Sequence, residues 1–176
     1  GPTDYGLVAA LLAAMLVVAV PASSLQFAVA RLLAAPPAGQ VELAEGIYRR
    51  LWRRCAVATP IIALAACIAI LTASVAAPEI PTGPLLLTVA AAAPLGLFFI
   101  ALGRLQGEQR FGTFSLCFGL WGTSRPVVLV PLLALGLGVY AALGATGAAV
   151  LAALSACLWL TRHRQPVREP SAVQWK

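Results

Sequence analysis

Arg125 is the side chain that most demands a chemical explanation in this chain of 176 residues. It stands in the stretch WGTSRPVV, inside a run from Phe111 to Thr161 that is otherwise uncharged. About 12 residues separate it from the start of that span, on the order of 18 Å of helix at about 1.5 Å per residue. A charge so deep in an apolar run is costly in lipid, from about 2.5 to above 10 kcal/mol. Such a residue is expected to face a polar cavity or a buried partner. Ser24, Gln26, Thr123 and Ser124 are the polar side chains that could share that cavity. No carboxylate lies inside the apolar runs: Asp4, Glu42, Glu45, Glu79, Glu108 and Glu169 fall at ends or in connections. A guanidinium without a fixed counter-ion suits a phosphate, which it can bind through two parallel N–H bonds. The rival partners are backbone carbonyls freed by Pro126 and Pro131, since proline lacks the N–H that would hold them.

Other chemistry is thin. Cys55, Cys67, Cys117 and Cys157 are scattered through apolar runs or at their rims, with no CxxC or Cys/His cluster. A zinc site is therefore not expected. His163 is the only histidine and stands among arginines in a basic tail. No group of Asp, Glu, His, Ser or Cys has the makings of acid–base or nucleophilic catalysis, so the chain reads as no enzyme and as needing no cofactor. The segment Gly103 to Gly112 lacks the GxxxxGK[ST] phosphate cradle. Its glycines are expected to make a tight turn instead.

The elements that must position Arg125 follow from composition. Hydrophobic residues make up 61% of the chain and charged ones 10%. Globular chains have about 45–50% and about 25%. A soluble domain of this length could not hide that much apolar surface. The net charge of +6 suggests nucleic acid at first sight. The positive residues lie between long uncharged runs, however, and that is the pattern of a membrane topology signal. Nucleic acid is excluded as a partner on this ground; the lipid bilayer is the expected one.

A bilayer core of about 30 Å takes about 20 apolar residues of helix. The runs predict an all-α, polytopic transmembrane bundle with five spans at 5–31, 55–77, 82–103, 113–136 and 140–161. The break between the last two is expected in Gly136 to Tyr140, where two glycines favour a turn. Strands of a β-barrel would alternate polar and apolar, and these runs do not. The first run has no basic leader region, so it reads as a span and not as a signal peptide. Prolines 21, 60, 94, 126 and 131 fall inside the spans and suit helices that bend, as in transporters.

Every Lys and Arg except Arg125 falls on one side of this topology. By the positive-inside rule that side is cytoplasmic, with the N-terminus outside and the C-terminus inside. The bundle is expected over 1–164 and a cytoplasmic basic tail over 165–176. Between spans one and two, VELAEGIYRRLWRR carries Leu43, Ile47 and Leu51 on one stripe, with Ala44, Tyr48 and Trp52 alongside. Glu45 and Arg49 are spaced to pair at i,i+4. This segment reads as an amphipathic helix lying on the cytoplasmic membrane surface and leading into span two, an anchor with lipid headgroups as a second role.

The sequence also resembles a family. YGLVAALLAAMLVVAVPASSLQFAVARLLA is similar to the second transmembrane helix of polysaccharide flippases of the multidrug/oligosaccharidyl-lipid/polysaccharide exporter superfamily. The opening GPTDYG looks like the loop entering that helix. FIALGRLQGEQRFGTFSLCFGLWGTSRPVVLVPLLALGLG looks like the passage from the fourth to the fifth helix, where a QG…RF loop recurs. The resemblance runs to about Arg164. It implies a transporter of lipid-linked oligosaccharide or polysaccharide precursors that works by alternating access across the cytoplasmic membrane. It also implies that these spans match helices two to six of a longer protein, so that a second half or a homo-oligomer partner completes it. Multidrug/cation antiporters of the same superfamily are the alternative; they often carry acidic residues inside their spans, and this chain has none there. A non-catalytic membrane assembly subunit is a further one.

Overall fold

A computed structural model describes residues 2–34, 36, 40–77, 79 and 81–162. The basic tail at 165–176, and with it His163, lies outside the described residues. The architecture is a bundle of five helices: α1 (Pro2–Ala34), α2 (Val41–Ala76), α3 (Thr82–Gly107), α4 (Phe111–Ala134) and α5 (Gly138–Arg162). Each is long and apolar enough to cross a membrane, and no strand occurs among the described residues. This is the all-α multi-pass architecture that the hydropathy runs predict. The helices stay continuous through Pro21, Pro60, Pro94, Pro126 and Pro131.

Helix α3 is the centre. It packs against all four others, while α1 and α4 do not touch. Phe98, Ile100, Leu102 and Leu105 are completely or almost completely buried on it. The facing side of α5 is built from small residues, Ala141, Ala145, Ala149 and Ala153, all buried. Small side chains let helices approach closely where lipid supplies no hydrophobic drive. By contrast α2 and α4 are peripheral, and Ile61, Ile62, Leu64, Val127 and Val130 stand exposed on them.

Antiparallel neighbours bring the arginines together. Arg31, Arg104 and Arg162 lie in the last turns of α1, α3 and α5, where a cation also favours the helix dipole. Arg110 caps the same end at the start of α4. We call this the basic end.

Two expectations are corrected there. The segment 41–54 is not a separate helix lying on the membrane: it is the first part of α2, which runs unbroken for 36 residues. At about 1.5 Å per residue that is about 54 Å, well beyond a core of about 30 Å. No glycine or proline interrupts it near Arg54, so the helix keeps its backbone bonds by continuing. Its apolar stripe is taken by protein. Tyr48 packs with Val29 of α1 and Ile100 of α3, and Leu51 and Trp52 pack beside them. The buried stripe is the one through Ala44 and Tyr48, while Leu43 and Ile47 remain exposed.

The second correction concerns Gly103 and Gly107. They make no turn. Both are inside α3, where a Cβ on Gly103 would lie 2.5 Å from the backbone oxygen of Gln26, and one on Gly107 2.9 Å from that of Ala30. They are the contact through which α3 reaches α1. The turn itself is Glu108 to Arg110. The amide of Arg110 bonds the Leu105 carbonyl and the amide of Gln109 bonds that of Gln106, with Gln109 in the left-handed region at φ 56°. The end of α4 uses the same Schellman geometry with Gly136 at φ 77°, where glycine carries no steric penalty. The break between α4 and α5 therefore falls where the glycines predict it.

Candidate functional site

Arg125 is the fifteenth residue of α4, a helix of 24 residues. It is half-buried. Its guanidinium lies over the Trp121 ring, 4.8 Å from the centroid. The i,i+4 spacing on one helix face produces this contact. Trp121 is held in turn by an aromatic cluster spanning two helices. Its ring centroid is 5.7 Å from that of Phe98 and 6.1 Å from that of Phe99 on α3, and 5.4 Å from that of Phe118 on α4. Phe114 stacks on Phe118 at 5.9 Å. The cation thus rests on a rigid aromatic shelf.

The shelf does not satisfy the charge. A cation–π contact contributes about 0.5–1 kcal/mol when exposed and about 2 when desolvated. The cost of an arginine at this depth is as large or larger. Nε of Arg125 is buried without a hydrogen-bond partner, and so is Nε1 of Trp121. The proline-freed carbonyls, those of Gly122 and Val127, do not take up Nε. Two N–H groups on α4 are thus buried without an acceptor among the described residues.

The other polar residues expected near Arg125 are not gathered around it. Thr123 is exposed and donates to the Gly119 carbonyl at 2.9 Å; Ser124 donates to that of Trp121 at 3.4 Å. Both are spent on their own helix. Ser24 is exposed on α1 and donates to Val20 at 3.2 Å. Gln26 is buried and donates through Nε2 to Oε1 of Gln106 at 3.1 Å, beside the Gly103 contact. Gln26 therefore ties α1 to α3 at the basic end. The sequence reading missed Trp121 as the platform, although its position four residues before Arg125 was a usable signal.

A second polar centre, at the basic end, went unread. Arg104 donates from Nε to Oε1 of Glu108 at 2.7 Å, and its Nη2 lies 3.3 Å from Oε1 of Glu45. Its guanidinium also covers the Tyr48 ring at 4.8 Å. Glu45 takes Nε of Arg49 at 3.2 Å, the i,i+4 pair that the spacing predicts. Glu108 takes Arg110 at 3.8 Å, and Arg110 donates to the Leu160 carbonyl at 3.2 Å. This network ties α2, α3 and α5 together. Beside it opens a cavity of about 430 Å³ whose lining includes Tyr48, Arg49, Trp52, Arg53 and Arg104, with Leu158 and Thr161 from α5.

No metal-binding group of His, Cys, Asp and Glu occurs among the described residues. Comparison with known protein families, with curated proteins and with solved structures finds no match to this chain.

Proposed function

We propose that the chain acts in a membrane transporter that moves lipid-linked oligosaccharide or polysaccharide precursors across the cytoplasmic membrane by alternating access. One observation carries this reading: a mid-helix arginine whose buried Nε has no partner, on a rigid aromatic shelf. A phosphate or pyrophosphate linking sugar to lipid matches that group in charge and in bidentate geometry. The indole N–H of Trp121 adds a second donor on the same helix face. Ser124 and Thr123 precede Arg125 on α4 but are bonded to their own helix, and Ser24 and Gln26 sit on a helix that does not touch α4. A cationic drug would meet Arg125 and no carboxylate in any span, which disfavours the antiporter.

Alternating access rocks one bundle against another. The exposed face of α4 is where an opposing bundle, from a second half or a second copy, would pack to enclose Arg125. The basic end faces the cytoplasm in this reading, by the positive-inside rule.

The test is transport of lipid-linked oligosaccharide by Arg125 variants in the intact transporter. Arg125→Ala is expected to lose most activity at unchanged expression, and Arg125→Lys to keep part of it. Normal transport by Arg125→Ala would refute the reading.

A further inference from the structure

The cavity at the basic end is independent of Arg125. Its lining includes Arg49, Arg53 and Arg104, with Tyr48, Trp52 and Thr161, and no Asp or Glu among the described residues. Nearby, Glu45 and Glu108 are shared out among Arg49, Arg104 and Arg110. Four arginines thus meet two carboxylates, which leaves positive charge in excess. Arg104 is fixed, with only 14% of its side chain exposed and two carboxylates holding its orientation. Arg49, by contrast, has 69% of its side chain exposed. Arg53 is exposed too, and it also borders an open groove on α2 with Arg50, Arg54, Val57 and Ile61. One wall is therefore rigid and the other free to close.

We infer that this cavity, between α2, α3 and α5, is a binding site for a phosphate group, separate from the Arg125 site. Arg49 and Arg53 clamp the phosphate oxygens as charge-assisted donors. Arg104, held by Glu45 and Glu108, fixes the floor of the cavity behind them. Trp52 and Tyr48 form an aromatic wall that keeps part of the ligand from water. The volume of about 430 Å³ is that of a small-molecule site, larger than a bare phosphate needs. The ligand is thus a phosphate ester. Its source is either the headgroup of an anionic phospholipid or a soluble phosphate compound.

Trp52 provides the readout. The whole chain is placed in nanodiscs of neutral phosphatidylcholine, and the Trp52 signal is taken as the emission difference from Trp52→Phe. One arm adds phosphatidylglycerol to the bilayer; the other adds inorganic phosphate or glycerol phosphate to the solution. A saturable change is expected in at least one arm, and the responding arm identifies the source. Arg49→Gln with Arg53→Gln should weaken it about tenfold or more, since two charge-assisted contacts are lost. Arg50→Gln with Arg54→Gln, outside the cavity, should leave it within about twofold. Arg53→Gln alone provides the same comparison if the double variant does not fold. No saturable change in either arm would overturn the proposal. So would an equal loss in both pairs of variants, which is the signature of a diffuse basic belt.

Discussion

Arg104 and Arg125 are the same side chain on two apolar helices, and they are treated in opposite ways. Arg104 sits at the helix end, bonded to Glu45 and Glu108 and covered by Tyr48. Arg125 sits in mid-helix with a tryptophan ring beneath it and its Nε unpartnered. The first arginine is consumed by the fold. It joins the amphipathic start of α2 to α3, and Glu108 and Arg110 carry the link on to α5. The second is supported by the fold without being consumed. An aromatic shelf can orient a cation while leaving its N–H groups free, whereas a carboxylate cannot. The difference separates a charge bonded into the fold from the one on which the proposed ligand contact rests.

The largest expected effect comes from the packing that places Arg104. Gly103→Ala sets a Cβ against the backbone of Gln26, which cannot rotate away. The helices α1 and α3 must part, and Gln26 loses Gln106. A loss of about 3 kcal/mol is expected, read as a fall in the unfolding midpoint in detergent. Retained stability would mean that α1 shifts freely, and that Arg104 does not depend on this contact.

Next is a paired comparison. Arg104→Ala removes the cation that Glu45 and Glu108 share and should cost about 2 kcal/mol, discounted because both carboxylates are about a quarter exposed and keep Arg49 and Arg110. Arg125→Ala removes a poorly satisfied charge and should change stability by less than about 1 kcal/mol, toward the stable side. Equal losses in the two variants would erase the distinction.

The smallest effect concerns the turn that sets Glu108 beside Arg104. Gln109 holds a left-handed conformation that is costly for a residue with a Cβ. Gln109→Gly should stabilise the chain by about 1 kcal/mol, as Gly136 already does at the end of α4. A destabilised variant would show that the Gln109 side chain holds the turn in some other way.

Much of the fold is legible in the sequence because apolar length alone defines a span. The α4–α5 break is legible because Gly136 and Gly138 have no other use there. Helix α2 is misjudged for a physical reason: the stripes Leu43–Ile47–Leu51 and Ala44–Tyr48–Trp52 have the same period. Periodicity says that one face is buried, but not whether lipid or protein buries it. That choice depends on Val29 and Ile100, distant in sequence. Gly103 and Gly107 were ambiguous in the same way, since glycine serves both turns and close packing. The Gln26–Gln106 bond joins residues 80 apart, and no local pattern announces it. Arg125 is legible as an anomaly, because a charge among apolar residues needs no partner to be noticed. Its shelf is only half legible: Trp121 is local, while Phe98 and Phe99 come from another helix.

The most direct measurement is the reactivity of a thiol at position 125. Arg125→Cys, in an otherwise cysteine-free version of the intact protein, which we propose to be a transporter, is exposed to a membrane-impermeant, water-soluble thiol reagent. The account predicts labelling, and protection when lipid-linked oligosaccharide is added. A position that stays unlabelled, together with normal transport by Arg125→Ala, would contradict it.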